Sequence, residues 1–527
     1  MSNVSDLSTP MVVQNSGKWL GNDGQWSTFY VHVGTPPQHF HVLPSLNSQT
    51  IYIPRASDCQ NIPIADCGTS RGAEAFASNT SSGFDVNASS TWHDLGLYDL
   101  EPGTKFELDG TSLYGYDKAG ISFVGGTNDN LTLDQQAVGA YSTPSRLGLS
   151  RLWLGRLGLS RFSMNISETE HPVSFLHALK EHGHIPSLSF GYQAGAAYRY
   201  DKVPGSLLLG GYDQSRRSNE SITVPSAADV IVGVQGITAS LRDGTITVLN
   251  TAIFAVLDTA VPELWLPSNV CDQIASVLNL TYHEDSGRYT LTDAAHNALQ
   301  SISGSLKFRL GAGVHTSPAI TIEIPYRAFD LEASWPIFNT TTRYFPLRKT
   351  SNRTQYALGR VFLQEAYLVV DWERDVFELS QAMFSDPMPE PNIITIQSSP
   401  SKPPAPASGE STSMLSPGAT AGVAVGAVLL AIGTALGWWL WRLKRRKEKA
   451  NKYSGTFQIL QGLGRMGPSE LAAHAKAELD GAQNPVPEVY APPKPHELAH
   501  GAGENVRVEI FAPPVVYELG GTHVNRG

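Results

Sequence analysis

A mainly β fold, built as one large core or two lobes, is what this chain of 527 residues predicts, and three observations point to it. Hydrophobic residues make up 41% of the chain, enough for such a core, while 48 glycines and 34 prolines favour strands and turns over long helices. Runs such as Phe29-Tyr30-Val31-His32-Val33 and Ile51-Tyr52-Ile53 place β-branched and aromatic residues between Gly, Pro, Asn and Ser turns. Helical periods are few, and the stretch from Val173 to His182, with Phe175, Leu176 and Leu179 apolar, is the clearest.

Composition divides the chain in order. Residues 1–19 form an N-terminal extension, 20–385 are globular, and 386–417 shift to Pro and Ser, which suits an extended stalk rather than a core. No charged side chain occurs from 411 to 441, and the apolar part 418–441 exceeds the roughly 20 residues that span hydrocarbon. One transmembrane helix is therefore expected there. It ends in Trp438, Trp439 and Trp441, followed by Arg442, Lys444, Arg445, Arg446, Lys447 and Lys449, which puts the C-terminal side in the cytosol and adds attraction to membrane lipid. Gly418, Gly422 and Gly426, and Gly433 and Gly437, recur every fourth residue and suggest a transmembrane dimer.

Acceptors for N-glycans agree with this topology. Asn3, Asn79, Asn87, Asn130, Asn165, Asn219, Asn279, Asn339 and Asn352 each begin Asn-X-Ser/Thr, and none follows the span. The expectation is a single-pass type I protein of the cell surface or endomembranes, its first 410 or so residues outside the cytosol. The start, Met1-Ser2-Asn3-Val4-Ser5-Asp6, lacks a secretory signal, so a missing first exon is expected. The tail 442–527 is Pro-, Ala-, Gly- and Glu-rich and expected to be disordered. Within it Glu488-Val489-Tyr490-Ala491-Pro492-Pro493 recurs as Glu509-Ile510-Phe511-Ala512-Pro513-Pro514, either drift in a low-complexity segment or two docking copies for one cytosolic partner. A formal net charge of -10 leaves no basic face for nucleic acid, and no metal or cofactor is expected.

Six segments in order carry a family likeness. Val33-Gly34-Thr35-Pro36-Pro37-Gln38-His39-Phe40-His41-Val42-Leu43, then Thr91-Trp92, Leu154-Gly155-Arg156-Leu157-Gly158-Leu159, Gly205 to Asp213, Ala255-Val256-Leu257-Asp258-Thr259-Ala260 and Ala357-Leu358-Gly359-Arg360-Val361-Phe362-Leu363 resemble the pepsin-like aspartic peptidases, in particular a membrane-anchored fungal branch. The resemblance implies a bilobal, acid-protease fold with a central peptide-binding cleft, the lobes falling at roughly 20–215 and 216–385. It also implies that Cys59 and Cys67 form a short disulfide pinning the loop after the first site. Cys271 then lacks a mate and is either a buried thiol or an intermolecular bridge.

The family's chemistry takes one aspartate from each lobe, because two close carboxylates share a proton, activate a water and protonate the scissile amide. Asp258 fits the second position, whereas the first falls on Ser45, whose hydroxyl does not titrate at useful pH. Leu108 stands where the flap carries a tyrosine, Ala260 where a glycine follows Asp-Thr, and Val261 where a hydroxyl residue orients the carboxylate. Leu108, Tyr114 and Thr259 are the expected cleft and flap residues. Asp258 as a mere turn aspartate is the plain alternative. Ser45 as a nucleophile is disfavoured, since His39 and His41 lie on a strand face upstream of it. Three functions follow: a catalytically impaired peptide- or glycoprotein-binding or sensing module, an active membrane-anchored aspartic endopeptidase relying on Asp258, or a passive surface protein.

Overall fold

A computed structural model describes residues 8–100, 110–124, 130–143, 152–167, 169–226, 229–242, 244–315 and 317–399. These belong to the compact unit Met1–Ala405. The span at 418–441, the tail repeats and Asn3 lie outside the described residues, among which no helix is long and apolar enough to cross a membrane.

The fold is mainly β and bilobal. Each lobe carries an eight-stranded sheet, and a six-stranded antiparallel sheet joins them. In that joining sheet the first-lobe strand Ser189–Gln193 pairs with the second-lobe strand Ala366–Asp371, register Ser189 to Asp371 and Tyr192 to Leu368. Phe190, Leu368 and Val370 from these strands are fully buried, so a hydrophobic core runs continuously between the lobes. Period two is cleanest in Ala319–Pro325, where Ile320, Ile322 and Ile324 face inward and Thr321 and Glu323 face water.

The expected helix at 173–182 appears as Phe175–Glu181, with Ser174 as N-cap accepting from the His177 amide. A longer helix, Ser268–Leu278, buries Val270, Cys271, Ile274 and Leu278 on one stripe and stops at Asn279 in the left-handed conformation. Cys271 is thus a buried free thiol, pushed up to about 12 by burial, with its Sγ near the Leu266 and Arg348 carbonyls. Cys59 and Cys67 form the disulfide, their Cα atoms 5.7 Å apart.

Strand pairing reaches beyond 20–385 at both ends. Met11–Val12 adds to the joining sheet against Leu208 and Leu209, and Ile393–Thr395, inside the segment expected to be stalk, pairs with Gly211–Asp213. Strands of two or three residues carry no legible period, and their partners lie far along the chain. All eight acceptor asparagines among the described residues, from Asn79 to Asn352, have exposed side chains.

Candidate active site

Both lobes build their central loop in the same way. In the first, Gln38–Ser45 runs parallel to Gly155–Gly158, pairing Val42 with Gly155 and Ser45 with Gly158. In the second, Ile253–Leu257 runs parallel to Ala357–Leu358, pairing Leu257 with Leu358. The Gly158 amide donates to the Thr50 carbonyl at 3.0 Å, and the Gly359 amide to the Glu263 carbonyl at 3.1 Å. A Cβ on Gly158 would sit 2.6 Å from the Thr50 carbonyl oxygen, and one on Gly359 would sit 2.3 Å from that of Glu263. Only glycine lets the loops pass this closely. Counting back five residues from Thr50 and from Glu263 arrives at Ser45 and Asp258. Ser45 therefore holds the position in the first lobe that Asp258 holds in the second.

The two loops meet. Leu46 donates its amide to Thr259 Oγ1 at 3.3 Å, and Asn47 Nδ2 donates to Asp258 Oδ2 at 3.1 Å. Asp258 Oδ1 accepts the Ala260 amide at 2.5 Å. Each oxygen of the Asp258 carboxylate thus accepts an N–H, one of them from a first-lobe side chain that neither gains nor loses a proton. Ser45 is buried, and its Oγ shares a hydrogen bond with Ser48 Oγ at 2.7 Å. The two loops are complementary in what they lack: Ser48 supplies a hydroxyl three residues after Ser45, whereas Val261, three after Asp258, packs among Val256, Trp265 and Ala357. Leu46, opposite Thr259, has no hydroxyl to return the hydrogen bond it gives.

The histidines do not serve Ser45. His41 Nε2 faces Glu74 at 3.1 Å, and burial lowers its pKa although Glu74 opposes this; the His39 ring lies 5.9 Å from His32. Tyr114 is not a cleft residue. The alternation of its strand, Thr111–Ser122, turns it inward, where its hydroxyl lies 3.2 Å from that of Tyr52 among Leu100, Tyr141 and Met164. Leu108 lies outside the described residues. Thr259 is buried at the loop contact, as described above.

Residues not singled out from sequence flank the loops. Arg360 Nη1 donates to the Thr259 and Ala260 carbonyls at 2.8 and 3.1 Å, and Nη2 pairs with Asp23 Oδ2 at 2.5 Å. Trp26 Nε1 donates to Asp23 Oδ1 at 2.6 Å, and the Arg360 guanidinium lies 4.7 Å from the Trp26 ring. An arginine next to a motif glycine was the one available signal. Its partner is 337 residues away. Nearby, burial pushes the Glu263 carboxyl up, but Arg288, 2.9 Å away, and Arg348 outweigh it and hold the group below its ordinary range.

The paired parallel loops, one per lobe on a shared floor, decide the relationship, and sequence comparison agrees: the family described as eukaryotic aspartyl protease matches residues 28–382. The chain belongs to the eukaryotic aspartyl protease family. It is similar to aspartic proteinase yapsin-3 of Saccharomyces cerevisiae, 23% identical over 378 residues, covering 69% of this chain and 68% of that one. Aspartic proteinase 3 of the same yeast is 25% identical over 439 residues, 71% of this chain and 73% of its own. Barrierpepsin is 22% identical, covering 69% of this chain and 61% of its own length. Within this aspartyl protease fold the interlobe cleft suits a peptide, and the first-lobe loop brings Ser45 and Asn47 to its floor.

Proposed function

We propose that this member of the family is catalytically silent and uses its cleft to hold peptide or glycoprotein segments. The carrying observation is the Asn47 amide bonded to Asp258, with Ser45 where the first aspartate belongs. Aspartic catalysis needs a pair that shares one proton, and an amide and a hydroxyl cannot take part in that sharing. General acid or base assistance alone is typically worth about 10²–10⁴-fold, and loss of a cooperating group removes more than its separate share. The names of the yeast relatives favour a second reading, an active aspartic endopeptidase, which must then work with Asp258 alone.

The ectodomain is displayed on a type I transmembrane anchor at 418–441, at the cell surface or in endomembranes, with the tail repeats open to a cytosolic partner and the glycine-spaced helix able to dimerise. The charge-free span, the basic cluster behind it and the exposure of eight acceptor asparagines support this topology.

The test uses purified full-length protein and denatured haemoglobin at acid pH. Wild type is expected to cleave no faster than Asp258→Ala, and Ser45→Asp combined with Asn47→Gly to gain at least about 10²-fold. Wild-type cleavage that Asp258→Ala abolishes would establish the endopeptidase instead.

A further inference from the structure

We infer that residues 392–399 form a latch over the seam between the lobes, fastened by the Glu373 carboxylate, and that the latch restrains how far the lobes move apart. The family match ends at residue 382, so this segment lies beyond the matched region. Pro387, Pro389 and Pro391 lead into it, a composition suited to an extended linker. The chain after them is bound instead. The Asn392 amide donates to Asp213 Oδ1 at 2.9 Å, and the Asn392 carbonyl accepts the Gln214 amide at 2.8 Å. Ile393–Thr395 then pairs with Gly211–Asp213, and the Ile396 amide donates to the Gly210 carbonyl at 3.0 Å. Ser187 Oγ donates to the Ile396 carbonyl at 2.5 Å. A Cβ on Gly211 would lie 2.3 Å from the Ile394 carbonyl oxygen, so glycine is what lets the two backbones approach.

Those partners belong to the first lobe, and the next residues engage the second. Arg374 Nη2 donates to the Gln397 carbonyl at 3.0 Å. Glu373 Oε2 accepts the Ser399 amide at 2.6 Å and Ser398 Oγ at 2.9 Å, while its Oε1 accepts the first-lobe Leu188 amide at 2.9 Å. One carboxylate of the second lobe thus holds both the first lobe and the latch, and hydrogen bonds to an ionised acceptor are the strong kind. From Ile396 to Ser399 the chain spans at most about 11 Å, so the two fastenings leave little slack. Parting the lobes at this seam therefore breaks the bonds at Gly210 and Ser187 or those at Glu373, since a hydrogen bond tolerates only a few tenths of an ångström of stretch.

Two measurements on the full-length protein test this. In residue-resolved hydrogen exchange, the amides of Asn392, Ile396 and Ser399 are expected to exchange at least about tenfold more slowly than in a free peptide of the same sequence. Gly211→Ala should reduce that protection at Ile396, and Glu373→Gln, which keeps the side chain's size and removes its charge, should reduce it at Ser399. Spin labels on Asp134→Cys and Gln273→Cys, exposed sites with one on each lobe, then report the distribution of interlobe distances. Replacing 392–399 by a Gly/Ser sequence of equal length should broaden that distribution, and Glu373→Gln, a milder change that spares the body of the fold, should broaden it in the same direction. Exchange at the free-peptide rate would overturn the latch, and a distribution unchanged in both variants would overturn the restraint. Broadening by the replacement alone would overturn the fastening at Glu373.

Discussion

Asn47 shows how much a single side chain decides. It stands opposite Ala260 in the counting of the two loops, and its amide reaches across to Asp258. The place of Ser45 in its motif loop was legible because the strand and loop around it are a local pattern. It could not display the role of Asn47, whose partner is 211 residues away. His32 carries a further consequence at this scale. Its Nε2 contacts Thr132 Oγ1 at 2.8 Å, and burial, with His39 beside it, holds the imidazole down to about 4. Between pH 6.5 and 4 the unfolded chain binds a proton that the folded chain refuses. Stability present above pH 6.5 is therefore lost as pH falls towards 4, by on the order of 3 kcal/mol. Thermal melts at pH 7 and pH 4 check this: the drop should be smaller in His32→Asn than in wild type, and equal drops would refute it.

Among the elements, the strands were legible wherever period two or a β-branched run was long enough, as in Trp26–Val33 and Ile51–Pro54. Tyr114 is expected in the cleft, but strand alternation sends it inward, because a shift of one residue exchanges the two faces. Gly158 and Gly359 were visible as motif residues, yet their necessity comes from the backbone of the loop that passes each of them. Gly359→Ala places a methyl carbon 2.3 Å from the Glu263 carbonyl oxygen and 2.5 Å from that of Val261, so backbone must move. A loss of about 1–3 kcal/mol is expected from such overpacking, measured by denaturant unfolding. An unchanged midpoint would mean that the loop yields freely.

Across the whole molecule, the lobes are tied on one side of the floor. Arg360 and Asp23 form a buried ion pair, Tyr344 gives its hydroxyl to the Asp23 carbonyl, the Ser334 amide donates to the Asn22 carbonyl, and Trp153 meets Trp335 with ring centroids 6.2 Å apart. Arg360→Met would strand the Asp23 carboxylate in this interior, at a cost of about 3–5 kcal/mol. Asp23→Asn added to Arg360→Met should restore part of that stability; equal melting of the single and double variants would show that the charge is already solvated.

Sequence by itself determined which short stretches become strands, where the two motif loops fall, that the first of them carries Ser45 and the second Asp258, and that a charge-free run with a basic flank follows the globular part. Each of these is written within a few consecutive residues. Only the tertiary structure decided the partnerships: Asn47 with Asp258, Asp23 with Arg360, the joining sheet reaching residues 11 and 395, and the unmet amide of Asn22. These depend on contacts between segments hundreds of residues apart, and such contacts exist only once the core has packed and fixed which side chains face each other.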